Sequence, residues 1–242
     1  MRVNILGVGF NDISMEQAIQ NALEIISKRE KAYCVTPNPE IVWLCRKNEA
    51  LRDIINNADL VLPDGIGIIL GAKILGTPLH SGRVPGIDFA SALFAVLAKT
   101  KGSVFLLGAK PGVADKAGAE LTLMYPGLAI AGVSDGYFTD SVALAAKINA
   151  ANPDFLMVCL GAPKQELWIS ENISRLNVPL CAGLGGSLDV FAGNVKRAPV
   201  FFQKLGLEWL YRIIKEPQRL KRSLSLPLFV LFVMLRRVGI AR

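Results

Sequence analysis

At 242 residues, 52% of them apolar, the chain is long enough to bury a substantial core, which excludes disorder as a description of the whole. Charge is unevenly placed: residues 1–190 carry 16 Lys and Arg against 18 Asp and Glu, whereas residues 191–242 carry 11 against 2. A near-neutral body with a cationic end points to a polyanionic partner, either nucleic acid or an anionic membrane surface.

The amino terminus reads as a first strand over 3–7 and has no long apolar stretch ending in a small-residue cleavage site, so a cytoplasmic protein is expected. A helix over 14–28 opens with Ser14 and Gln17 at capping-box spacing. Further strands are expected at 31–36, 59–62, 103–108, 128–133, 154–160 and 179–182. Helices are expected at 39–47, 49–57, 66–75, 87–99, 112–124, 140–150 and 164–175. Alternation of this kind argues for an α/β fold, a mainly parallel, doubly wound sheet with helices on both faces and its ligand sites in the loops after the strands. Cys34, Cys45, Cys159 and Cys181 show no zinc or CxxC spacing and lie mostly in apolar runs, as buried free thiols of a reducing compartment do.

The loops carry the chemistry. Leu60-Val61-Leu62 runs into Pro63-Asp64-Gly65, which sets Asp64 at the carboxyl end of a strand, as a helix N-cap or as a site carboxylate. Two prolines stiffen Thr36-Pro37-Asn38-Pro39, where the Thr36 hydroxyl and Asn38 amide face a ligand or Asn38 caps the next helix. Arg83, in the polar loop His80–Asp88, has the planar fork that suits phosphate. His80 is the single histidine, which leaves little from which to build a metal centre or a Ser-His-Asp site. Gly108, after the 103–108 strand, offers backbone N–H groups to a phosphate or ribose, yet neither this turn nor Gly7-Val8-Gly9 is a dinucleotide fingerprint, and there is no Walker A motif. Gln165 and Glu166 open a helix after the 154–160 strand, and Gly183-Leu184-Gly185-Gly186-Ser187-Leu188-Asp189 lets a ligand approach main chain closely. Several such turns on one sheet edge suggest a shared nucleotide-diphosphate pocket.

The blocks Thr36–Pro39, Ala58–Gly65, Arg83–Gly86, Gly161–Glu166 and Gly185–Asp189 resemble, in order, the signature blocks of the WecG/TagA/CpsF glycosyltransferase family, over about residues 3–220 and most closely its TagA branch. The resemblance implies a Rossmann-like domain with its own topology and an inverting transferase that needs no divalent metal or other cofactor. It also implies transfer of N-acetylmannosamine from its UDP donor to undecaprenyl-diphosphate-linked N-acetylglucosamine, in a β-1,4 linkage, for the wall teichoic acid linkage unit. Asp64 matches the family's proposed general base, Thr36 and Asn38 the polar pair beside it, and Arg83 and Gln165 positions lining the same pocket. Gly185, Gly186 and Asp189 are the nucleotide candidates, with Asp189 on the ribose hydroxyls. Other members use N-acetylmannosaminuronic acid or hexose donors, and a non-catalytic nucleotide-sugar binding module is the remaining alternative.

From Val195 the composition changes, which divides the chain into a core over 1–194 and a membrane-associating appendage over 195–242. Arg212, Lys215, Arg219 and Arg222 stack on one face if helical, and 224–235 is apolar, flanked by arginines and too short to span a bilayer. This pattern suits an element lying in the membrane interface better than a nucleic-acid arm, for which no binding motif is present. The tail is therefore expected to dock the protein on the inner leaflet and to bring arginine to the diphosphate, with self-association open to it off the membrane.

Overall fold

The parallel sheet expected from the apolar runs is present in the computed structural model, which describes residues 2–215 and 225–240 and, for Lys204 and Arg212, the backbone alone. Its strands are β3 (Ala32–Val35), β4 (Leu60–Val61), β5 (Ser103–Gly108), β6 (Ala129–Ser134), β7 (Phe155–Cys159) and β8 (Leu180–Gly183). All neighbours pair in parallel, in the order β4-β3-β8-β7-β5-β6. β8, the last strand in sequence, thus fills the gap between β3 and β7.

Side chains alternate across this sheet, and each face meets its own apolar layer. Cys34, Leu106, Met157 and Ala182 join one cluster with residues of α1 (Met15–Lys28), α5 (Gly86–Lys99), α6 (Val113–Met124) and α9 (Ser187–Phe191). Val35, Leu107, Val158 and Cys181 join the other, with α2 (Pro39–Cys45), α3 (Glu49–Asn56), α4 (Ile66–Leu75), α7 (Ser141–Ala151) and α8 (Lys164–Asn172). The capping box at Ser14 and Gln17 is formed in both directions, at 3.2 and 2.9 Å. All four cysteines are free and buried, as expected.

The structure corrects the start of the chain. Instead of one strand over 3–7, the chain reverses at Leu6 and Gly7, both at positive φ, into an antiparallel hairpin of β1 (Arg2–Ile5) and β2 (Val8–Asn11) outside the main sheet. Two successive left-handed residues give the tight turn whose twist suits a hairpin, and Gly7 supplies the conformation at no steric cost. Ile5, Val8 and Phe10 close the second core, and Asn11 Oδ1 accepts from the Val61 N–H at 2.8 Å.

The amphipathic run over 201–215 is also not continuous. It is two short helices, α10 (Val200–Lys204) and α11 (Glu208–Lys215), separated at Gly206. Gly206 has φ +70°, and a Cβ there would stand 2.7 Å from Ile66 Cβ, so the tail crosses the start of α4 where only glycine fits. The apolar block forms α12 (Ser225–Arg237), which lies on α2 and α4 and buries Phe229 and Val233 fully in the second core. Leu228, Leu231 and Met234 remain exposed on it, as does Val238 just past its end.

Candidate active site

The loops after β4, β3, β8 and β7, four adjacent strands, meet the tail around one cleft of about 480 Å³ at the carboxyl edge of the sheet. Thr36, Asn38, Asp64, Arg83, Gln165, Gly185, Gly186 and Asp189 all line it. Gly108 does not: a Cβ there would lie 2.3 Å from the Cys159 carbonyl oxygen, so this glycine serves strand packing beside the cleft. Lys215 is exposed and is not among the lining residues, the Arg212 side chain is not described, and Arg219 and Arg222 lie outside the described residues.

Asp64 is held by its backbone. Leu62 N–H donates to the Val35 carbonyl at 2.9 Å, Asp64 N–H to the Pro37 carbonyl at 3.2 Å, and Val84 N–H to the Pro63 carbonyl at 2.9 Å. The helix that follows starts at Gly65, φ +88°, with no side-chain cap. The half-buried Asp64 carboxylate is therefore in the cleft wall and not on the helix end. Gly67 allows the close approach of the two loops, since a Cβ there would come within 2.6 Å of Pro39 Cγ.

Several polar groups expected to face a ligand hold the walls instead. The buried Thr36 hydroxyl donates to the Gly183 carbonyl at 3.2 Å, tying β3 to β8. Asn38 Oδ1 caps α2 by accepting from Ile41 N–H at 3.0 Å, with Pro39 at the first helical position; its amide nitrogen is not used by the cap. Gln165, 3% exposed, is used at both ends: its Oε1 accepts from Gly185 N–H at 2.9 Å and its Nε2 donates to Glu166 Oε1 at 2.9 Å. Burial raises the Glu166 carboxyl above its usual range, partly offset by that hydrogen bond, and its Oε2 has no hydrogen-bond partner among the described residues.

Charge in the cleft is arranged around Glu208, at the start of α11. Arg83 Nη1 lies 3.3 Å from Glu208 Oε1, and Arg83 Nη2 donates to the Gln203 carbonyl at 2.5 Å. Arg197 grips Asp88 through two bonds of 2.5 and 2.8 Å and approaches Glu208 at 3.7 Å. The Asp88 bonds hold the Arg197 guanidinium above its usual value. Glu208, Trp209 and Leu226 were not anticipated as lining residues, yet Glu208 is one of only two acids in 191–242, the one local signal that could have singled it out. Among the described residues, no group of three His, Cys, Asp or Glu side chains is placed to hold a metal ion.

The chain has relatives among known proteins. It matches the glycosyl transferase WecG/TagA/CpsF family over residues 3–242. It is 40% identical over 209 residues to a Bacillus subtilis (strain 168) protein named N-acetylglucosaminyldiphosphoundecaprenol N-acetyl-beta-D-mannosaminyltransferase, covering 86% of this chain and 81% of the relative. A Staphylococcus aureus (strain MW2) protein of the same name is 34% identical over 231 residues, covering 95% of this chain and 91% of that one.

Proposed function

This chain belongs to the WecG/TagA/CpsF glycosyltransferase family, and on that premise we propose that it transfers N-acetylmannosamine from UDP-N-acetylmannosamine to N-acetylglucosaminyl-diphosphoundecaprenol, the step that builds the wall teichoic acid linkage unit. The observation that carries this reading is the convergence of Asp64 with the Gly185–Asp189 turn in one cleft. A carboxylate facing a glycine-lined wall is what a displacement on a nucleotide-sugar needs.

In the proposed reaction the acceptor 4-hydroxyl attacks the anomeric carbon, and the bond from that carbon to the UDP phosphate oxygen breaks. UDP leaves with the bonding pair, and the hydroxyl proton passes to Asp64, so one displacement inverts the anomeric centre. The amino end of α4, at Gly65–Gly67, and Arg83 offset the charge on the departing diphosphate. Arg83 does so by exchanging Glu208 for phosphate. Asp189 takes the ribose hydroxyls, while Thr36 and Gln165 position the loops that form the pocket.

The protein works at the inner face of the membrane as a peripheral enzyme. No helix among the described residues is long and apolar enough to cross a bilayer, and the exposed stripe of α12 supports contact with its surface. The experiment is UDP release from UDP-N-acetylmannosamine and a soluble analogue of the lipid-linked acceptor, for wild type and Asp64→Asn. Turnover that collapses in the variant supports donor and base together; turnover only with a uronic-acid or hexose donor replaces the substrate and keeps the mechanism.

A further inference from the structure

α12 connects two cavities. Its first turn, at Ser225 and Leu226, lines the candidate active site, while Phe232 and Arg236 line a second cavity of about 450 Å³. From Leu226 to Arg236 the helix advances about 15 Å. The second cavity is walled by Arg46 at the end of α2, Arg52 of α3, Arg236, and the hairpin turn at Leu6 and Gly7, and among the described residues no carboxylate lines it. Three cations from three elements converge on this space.

Their states differ in an informative way. The Arg46 guanidinium carbon lies 3.2 Å from the centre of the Phe232 ring and 4.6 Å from that of Trp43, so its plane is fixed by aromatic faces and not by an anion. Burial holds it below its ordinary value. Arg52 pairs with Glu49 at 3.1 Å, but Glu49 is 81% exposed, and such a pair contributes little. Among the described residues neither Arg46 nor Arg236 forms an ion pair with a carboxylate of the chain. A fixed guanidinium plane and further charged donors suit a phosphate, which takes planar, bidentate contacts.

The cavity's position identifies where that phosphate comes from. Phe232 and Arg236 lie on α12 between its buried line, Phe229 and Val233, and its exposed line, Leu228 and Leu231. An anion seated there has an unpartnered apolar stripe directly alongside, as a headgroup has its acyl chains. We propose that this cavity docks the phosphate of an anionic phospholipid, held by Arg46, Arg52 and Arg236 while the exposed line of α12 meets the acyl region. The inference rests on the peripheral-membrane reading above, not on the transfer reaction. It makes the contact a specific headgroup site in the folded body instead of a diffuse attraction of the basic tail.

The test is sedimentation of the full chain with vesicles of equal parts phosphatidylcholine and phosphatidylglycerol, and with phosphatidylcholine alone. R46Q/R52Q should weaken binding to the mixed vesicles by about tenfold, R46K/R52K, which keeps the charge and loses the planar fork, should weaken it nearly as much, and R236Q alone should weaken it by about threefold. Turnover of a soluble acceptor analogue should not change. Binding by R46Q/R52Q equal to wild type overturns the proposal, and if that variant does not fold, unchanged binding by R236Q does so. Glycerol 3-phosphate that binds as tightly without vesicles as the vesicles do makes the source a soluble phosphate and overturns the lipid. Leu231→Glu separates the two readings: it tests the peripheral contact through the apolar stripe and leaves the arginines in place.

Discussion

Arg83 and Glu208, 125 positions apart in sequence, form an ion pair 3.3 Å long across the mouth of the cleft. Both side chains are largely buried, at 24% and 15% exposure, so the pair is held in a site where water screens it poorly. The acid occupies the guanidinium that the proposed reaction assigns to the leaving diphosphate, and at the same time it ties the tail to the core.

Glu208→Gln should therefore tighten UDP binding. Removing a partly buried competitor worth about 1 kcal/mol gives about fivefold in Kd, read by titration calorimetry. Arg83→Ala should weaken the same binding and raise protease sensitivity around Gln203. If Glu208→Gln weakens UDP binding, Arg83 is a tether for the tail and not a diphosphate ligand.

Asp64→Ala should lower turnover by about 10²–10⁴-fold with the circular dichroism spectrum unchanged, the range for loss of a general base. Because no side chain caps α4, the loss is not explained by fraying of that helix. Turnover within tenfold of wild type returns Asp64 to a structural role.

Glu166 gives a pH signature. Its folded carboxyl is raised above the unfolded reference of 4.5, so the folded state holds this proton more tightly than the unfolded chain does. The stability that comes from this is fully present below pH 4.5 and is lost as pH rises through the raised value. Glu166→Gln keeps a group that can accept from Gln165 and removes the titration. Its unfolding free energy relative to wild type should therefore climb as pH rises from 4.5 through the raised value; a flat difference would show that the carboxyl titrates alike in both states.

The thiols should be silent in the native protein. Burial pushes Cys45, Cys159 and Cys181 up to about 12 and raises Cys34 as well, so none presents thiolate at neutral pH. Ellman's reagent should count no thiols at pH 8 in the folded chain and all four in guanidinium. Rapid native labelling of Cys159, which lines the cleft, would contradict the burial of its thiol.

Phe229→Ala should show how far the carboxyl-terminal helix is part of the core. The ring is fully buried, and a Cβ on Gly71 would touch it at 2.9 Å, so α4 and α12 leave no slack at this contact. Loss of such a side chain costs about 3–5 kcal/mol when the surroundings cannot collapse. If the tail is a separate appendage, proteolysis should release 195–242 and the remainder should melt at the wild-type temperature. A fall in the melting temperature of the whole chain means that residues 1–194 and α12 fold as one unit.

The sheet was legible because its strands are short apolar runs between turn residues, and burial on both faces leaves no competing pattern. Asp64, Gln165 and the Gly185–Asp189 turn followed from strand ends together with the family resemblance. What the sequence concealed were relations across space. A Leu-Gly pair lacks the usual hairpin signal, so β1 and β2 looked like a single strand. The roles of Thr36 and Gln165 depend on carbonyl and amide partners about 150 and 20 positions away, which no local pattern encodes. The tail's periodicity could not reveal that Gly206 must pass against Ile66, nor that Phe229 and Val233, expected for a bilayer, are spent on the second core.

The central place of β8 also bears on how the chain comes off the ribosome. Until residues 180–183 emerge, β3 with β4 and β7 with β5 and β6 are two half-sheets, each with an unpaired inner edge. Such edges recruit strands from other chains, so a nascent or truncated polypeptide ending before this point is the form most exposed to misassembly. Arrival of one four-residue strand seals both edges and, in the turn that follows it, delivers the Gly185–Asp189 wall of the cleft. The sheet is thus complete before Glu208, Trp209 and Leu226 are made, so a chain cut soon after β8 has sealed edges but a cleft without its tail wall.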